Sequence, residues 1–341
     1  MRETFWEIPY KGVAPARTIV LDWNISKQLS SIHRWQERFE PLRLPAPEVT
    51  RLRNLVLSLP DDVEILGALA AAEPETRSRA RSADVDRYNL RNDVAAVYLS
   101  RFPDYLLHLL DGGASEGLVL EPVPDDHPFS PDWLREWFMV PYAALLMAVV
   151  ISRKPDKSRA DRVDDYRFWL EHELKISPGY EAWIGFKLLG GKGDVAAKAA
   201  RLLKVASSKD IASSVWGATW DLMYARMPEL MTLPPYRGQW PLPLAFVTDD
   251  SALVEALGGR IASLAMINDR GVALNGSQLD LELLQDDAAA IVRPYMRRET
   301  ERVLAHSRGL NASTMRRATR LARSLERQLA RGASSRDPAN T

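Results

Sequence analysis

The sequence contains no cysteine. That single absence removes disulfides, thiolate zinc sites and thiol nucleophiles, and it suits a reducing compartment. Histidine is scarce as well. His33, His108, His127, His172 and His306 are the full set, and none has the spacing of a metal-ligand pair. No apolar run reaches membrane-spanning length, which takes about 20 residues. The longest, Phe138 to Ile151, is interrupted by Pro141 and Tyr142 and predicts a buried helix. The opening residues MRETFWEIPYKG lack the apolar core of a signal peptide, so a non-secreted, cytoplasmic chain with no membrane partner is expected. Net charge is absent too, because 45 Lys and Arg balance 45 Asp and Glu. No whole-molecule field therefore draws the chain towards nucleic acid. There is no internal repeat.

What is present is the composition of a folded protein. The 341 residues are 46% hydrophobic and 26% charged, enough to build a real core in one large domain or two ordinary ones. The charge is unevenly spread. Between Arg293 and Arg331 arginine is frequent, and only Glu299, Glu301 and Glu326 oppose it.

Periodicity gives a coarse map. Thr18-Ile19-Val20-Leu21 predicts a short buried parallel strand that stops at Asp22, and Leu244-Ala245-Phe246-Val247-Thr248 predicts another that stops at Asp249-Asp250. Leu118 to Leu120 and Gly259 to Ile267 are further strand candidates. Helices are expected over Ile25–Trp35, Val49–Leu59, Asp62–Ala72, Asp84–Phe102, Tyr105–Leu110, Ile211–Met227 and Ser251–Leu257. Glu73 to Ser82 reads as a charged loop. Trp133 to about Val205 reads as helical throughout, with loops at Lys154–Arg159 and Ser177–Tyr180, and the prolines at 122, 124, 128 and 131 mark its entry. From Asp280 the chain predicts helix, ending in a disordered polar tail.

The acids at strand ends carry the chemistry. In a parallel sheet both strands would deliver their aspartates to one edge, where open α/β folds place their sites. Each aspartate also precedes a helix, so each serves equally well as an N-cap. Together they are more telling, since opposed carboxylates repel unless a cation lies between them. Two helical acids keep unusual company. Asp221 has Gly217, Ala218 and Ala225 about one turn away, small neighbours that leave room for an ion and a substrate backbone; the alternatives are an ion pair or plain exposure. Asp93 sits among Leu90, Val94 and Val97, costly for a charge unless paired, for instance with Arg87 or Arg91, or bound to a metal.

Three segments resemble the PIN-like nuclease superfamily: Ile19-Val20-Leu21-Asp22-Trp23-Asn24, Trp220-Asp221-Leu222-Met223 and Phe246-Val247-Thr248-Asp249-Asp250. The resemblance implies a Rossmann-like three-layer α/β fold, a parallel sheet flanked by helices, with Asp22, Asp221 and Asp250 as metal ligands. Asn24 and Thr248 would support them, and Asp249 would be a fallback ligand. The stretch Arg87 to Ala96 resembles a helix of some PIN-like branches and places the fourth ligand at Asp93, with Asp86 in reserve. Many members use a glutamate as the second acid, and no glutamate here has a clear claim to that place. The motifs also lie far apart, which implies a domain over 1–278 with a helical insertion over about 123–207, followed by an arginine-rich helical region over 279–341.

The chemistry implied is hydrolysis of a phosphodiester. Carboxylates hold one or two Mg²⁺ or Mn²⁺ ions, one activating a water and the other stabilising the leaving 3′ oxygen. The substrate implied is RNA first and DNA second, for a regulatory or toxin-like enzyme with a homo-oligomer or an inhibitory protein as further partners. Arg91, Arg316, Arg320 and Arg323 are the arginines expected to contact nucleic acid, with a solvated helix face as the plainer reading of the last three. A PIN-like scaffold without catalysis is the rival of another class. Gly190-Gly191-Lys192-Gly193 lacks the spacing of a phosphate loop and predicts a helix-breaking turn. Asp22-Trp23-Asn24 lacks the second acid of an Asp-x-Asp phosphatase. Trp133, Trp137, Trp216 and Trp220 are expected in the core.

Overall fold

Two buried parallel strands organise the sheet. The architecture comes from a computed structural model, which describes residues 4–9, 17–66, 97–114, 131–154, 156–208, 210–230, 244–258, 260–267, 273–298, 301 and 312–334. The chain divides into two units. The first comprises the described residues of Met1–Pro131, Met223–Thr232 and Tyr236–Ser251; the second those of Asp132–Leu222, Leu233–Pro235 and Ala252–Thr341.

In the first unit, strands β1 (Trp6–Pro9), β2 (Thr18–Leu21), β3 (Glu64–Leu66) and β4 (Leu244–Thr248) form one sheet in the order β1-β4-β2-β3. β2 is parallel to both β4 and β3, and β1 closes the far edge antiparallel to β4. Every residue of β2 and β4 is buried, which matches their unbroken apolar runs. A fully buried Val, Leu or Phe contributes about 1.5–3 kcal/mol. On one face Ile19, Leu21 and Val247 pack with Ile25, Leu29 and Ile32 of α1 (Trp23–Glu37) and Leu52, Leu55 and Val56 of α2 (Ala46–Ser58). Leu106, Leu109 and Leu110 of α3 (Pro103–Leu110) complete that cluster. Tyr224 lies against Phe246 of β4, ring centroids 5.8 Å apart.

One of the expected elements in this unit changes. Asp62–Ala72 is not a helix at its start, because Glu64–Leu66 is strand β3. Val63 and Ile65 are buried while Glu64 is only half-buried, a period of two, and the edge of β2 takes up the pairing. β1 is an addition. Its Trp-Glu-Ile-Pro sequence is short and ends in proline, which an edge strand tolerates. The candidates at Leu118–Leu120 and Glu73–Ser82, and Asp84–Ala96 of the expected helix, lie outside the described residues. Val97–Arg101 forms a π-helical turn leading to α3.

The second unit is mainly helical: α4 (Pro131–Ser152), α5 (Arg159–Trp169), α6 (Tyr180–Gly190), α7 (Val195–Leu202), most of α8 (Ile211–Leu230), α9 (Ser251–Leu257, all but its first residue), α10 (Asp286–Arg297) and α11 (Ala312–Ser334). The Phe138–Ile151 run is a buried part of α4, as its length requires, and no helix among the described residues is long and apolar enough to cross a membrane. Phe138 packs on Trp216 and Trp220, both at 4.6 Å between centroids, so these tryptophans are core. The expected strand at Gly259–Ile267 is β5 (Arg260–Ile267). It pairs with β6 (Ala273–Leu279) in a separate antiparallel ribbon.

The Gly190–Gly193 turn ends α6 against the segment before α10. The Gly190 carbonyl accepts from Gln285 N–H at 2.9 Å, and Lys192 N–H donates to the Leu283 carbonyl at 2.8 Å. A Cβ on Gly191 would meet the Lys187 carbonyl oxygen at 2.4 Å and Ala196 N at 2.6 Å, both main-chain atoms that cannot swing aside. Gly191→Ala is therefore expected to cost about 2–3 kcal/mol, as overpacking does. Chemical denaturation of the purified variant measures it; an unchanged midpoint would show that the turn relaxes freely.

Candidate functional site

The register of β2 on β4 decides which residues meet. Leu21 pairs with Val247, and Asp22 N–H continues the ladder to the Val247 carbonyl at 2.9 Å. Asp22 therefore stands beside Thr248 at the carboxyl edge. Among the described strands the chain steps from β2 outward to β3 on one side and later to β4 on the other. The reversal of strand order thus falls between β2 and β4, the place where open α/β sheets leave a crevice at their carboxyl ends.

Asp22 is 1% exposed. It is the N-cap of α1, with extended backbone and its Oδ1 accepting from Asn24 N–H at 3.3 Å. Its Oδ2 accepts from the Thr248 hydroxyl at 2.5 Å, and the Thr248 oxygen accepts in turn from Asp250 N–H at 2.9 Å. The order is a relay, Asp250 N–H to Thr248 hydroxyl to Asp22 carboxylate. Thr248 itself is fully buried, so its hydroxyl is held in one role. Burial pushes the Asp22 carboxyl above its usual range, and the neighbouring Asp250 adds to the push. The bonds from Thr248, Asn24 and Asp249 oppose it. The Oδ2 bond is short and the Oδ1 bond long, which leaves Oδ1 the more weakly held oxygen.

Asp249 and Asp250 are half-buried at the carboxyl edge of the sheet. Asp249 is engaged by Arg51 of α2, Nη2 to Oδ2 at 3.2 Å. Burial raises the Asp249 carboxyl, Arg51 pulls it down, and Asp250 raises it again. Arg51 also lies over the Phe5 ring, 5.6 Å from its centroid, and its buried Nε has no hydrogen-bond partner among the described residues. An arginine thus borders the acids, and nothing in the sequence pointed to it.

The structure brings Asp22, Thr248, Asp249 and Asp250 together, with Asn24 contributing its main-chain N–H while its side chain is exposed. Asp221 belongs to the second unit, half-buried on α8. Asp86, Asp93 and Arg91 lie outside the described residues. Arg316, Arg320 and Arg323 are exposed on α11 in the second unit. Among the described residues, no three His, Asp or Glu side chains form a group able to hold a metal ion.

In kind, the donors at the strand edge suit a hard cation. All are oxygens, and two carboxylates of like charge face a cost that a cation relieves. No protein-family model, no curated protein and no solved structure matches the chain.

Proposed function

We propose that the chain is a PIN-like, metal-dependent endonuclease that hydrolyses phosphodiester bonds, with RNA as the first substrate and DNA as the second. The observation that carries this reading is the fully buried Asp22 carboxylate at the reversal of strand order, locked by Thr248 and flanked by Asp250. A structural cap rarely needs such burial, because capping works well at a solvated helix start.

Asp22 and Asp250 would hold the metal. Mg²⁺ or Mn²⁺ there would supply a water acidic enough to attack phosphorus and charge to offset the phosphate. The chain's own residues do the positioning. Thr248 fixes the rotation of the Asp22 carboxylate through Oδ2 and leaves Oδ1 for the ion. Asp249 holds the Arg51 guanidinium at the edge of the acids, a fixed positive charge beside them.

One observation favours a second reading, a non-catalytic scaffold of the same fold. Asp22 already has hydrogen-bond donors and a capping role, so it has work to do without any metal. The deciding experiment is cleavage of labelled single-stranded RNA and DNA with Mn²⁺ or Mg²⁺, beside EDTA. Metal-dependent cleavage abolished by EDTA is the expected result. No cleavage of either strand, together with no Mn²⁺ binding by calorimetry, would establish the scaffold.

A further inference from the structure

The helix α11 is two-faced. Thr314, Met315, Ala318, Ala322, Leu325 and Leu329 are buried, and from Met315 onward they recur every three or four residues, about one turn. The opposite side carries Arg316, Arg320, Arg323, Arg327 and Arg331, all exposed. Their separations of four, three, four and four residues keep them on one strip. At 1.5 Å per residue the strip runs about 22 Å, with a guanidinium every 4.5–6 Å or so.

None of the five is paired with a described acid, and the one acid of α11, Glu326, is drawn aside to accept from the Tyr142 hydroxyl at 2.9 Å. Among the described residues, nothing offsets the positive charge of the strip. It sits in a chain whose charge sums to zero, so the excess is local and not the trace of a generally basic protein.

No large apolar side chain lies among the arginines, which narrows the occupant. A helix that lies in a membrane interface buries its apolar face in lipid, whereas α11 has turned that face inward. A protein partner would be expected to find an apolar centre with a polar rim. A ladder of guanidinium groups alone matches a regular row of phosphates.

We propose that the exposed arginine strip of α11 binds the phosphate backbone of single-stranded nucleic acid. The choice of nucleic acid rests on the nuclease reading above. The strip includes Arg327 and Arg331, beyond the three arginines picked out from sequence, and its contacts are to phosphate, so affinity does not depend on base sequence.

The test is binding of a fluorescent single-stranded RNA and a matching DNA to the full chain in EDTA, across a salt series. Arg316→Gln/Arg320→Gln/Arg323→Gln is compared with Arg159→Gln/Lys192→Gln/Lys204→Gln, which removes the same charge from exposed positions elsewhere in the same unit. Each lost phosphate contact lowers the salt slope by about 0.7 for single strands, so the α11 variant is expected to lose about two units of slope. Its affinity should fall tenfold or more near 0.1 M salt, while the control stays within twofold. Equal losses in both variants, an α11 variant that binds like wild type, or binding to anionic vesicles without binding to RNA or DNA would each overturn the assignment. Binding lost in the α11 variant while no metal-dependent cleavage occurs would leave this surface standing and sink the nuclease reading alone. Cleavage with unchanged binding would do the reverse.

Discussion

Asp22→Asn should abolish metal-dependent cleavage while leaving the metal-free protein at least as stable as wild type. The first half follows from the proposed ligand role. Losing the carboxylate that fixes the ion removes both the activated water and the neutralising charge, a loss of about a thousandfold or more, or roughly 4 kcal/mol of transition-state stabilisation. The second half follows from burial. Asp22 is an acid whose folded-state pKa is raised. Between its ordinary value and the folded one the native state binds more protons than the unfolded state, so stability falls as pH rises through that window. Above that window the ionised Asp22 is a burden on the folded chain. Asparagine is nearly the same shape and carries no charge. It keeps one acceptor, the amide oxygen, which can take the bond from the Thr248 hydroxyl.

Thermal unfolding in EDTA and in Mn²⁺ separates the two roles. The expected result is a variant that melts no earlier than wild type in EDTA, and a wild type that alone gains stability on adding Mn²⁺ by mass action. A variant that melts several degrees early in both conditions, with no metal effect on wild type, would make Asp22 a structural cap and favour the scaffold.

The parts of this site that were legible in the sequence share a physical cause. β2 and β4 are buried on both faces, so their sequences are unbroken apolar runs, and the polar residue that ends each run falls at the carboxyl edge. Asp22 and Asp250 could be placed from that pattern alone. Trp216 and Trp220 were legible as core for a similar reason, since their spacing keeps them on one helix face.

Other features depended on long-range pairing. β3 is three residues long and exists because the edge of β2 needs a partner; local preference over Asp62–Ala72 pointed to helix. β6 was missed because its Ala-Leu-Asn-Gly-Ser-Gln-Leu sequence carries little strand preference, and it forms against β5. Arg51 meets Asp249 across 198 residues, a contact no local pattern encodes. The burial of Asp22 was hidden for the same reason. Capping is a local property, whereas 1% exposure comes from the neighbouring strand and its threonine.

Lys187 offers the other large effect, in the second unit and away from any catalytic claim. It lies on α6, 4% exposed, with Nζ donating to the Ala256 carbonyl at 2.6 Å and the Gly258 carbonyl at 2.7 Å, which caps the C-terminus of α9. Burial pushes its pKa down to about 8; Asp280 opposes the shift and Lys198 adds to it. A neutral amine has two N–H groups, enough for both carbonyls. Between the folded value near 8 and the unfolded value near 10.5 the unfolded chain binds the extra proton, so stability should rise with pH across that window, by about 3 kcal/mol in all. Lys187→Met removes the titration but leaves two carbonyls without their donor, at about 1–3 kcal/mol each where water cannot replace it. Below pH 8 the two effects nearly offset, and the variant should lie close to wild type. Near pH 10 the wild type should be ahead by several kcal/mol, because it has shed its charge and kept its bonds. Denaturant unfolding of both proteins from pH 7 to 10.5 gives the difference directly, with tyrosines and other lysines cancelling between them. A difference that stays constant with pH would mean that the two carbonyls and the end of α9 hold the ammonium charged against its burial.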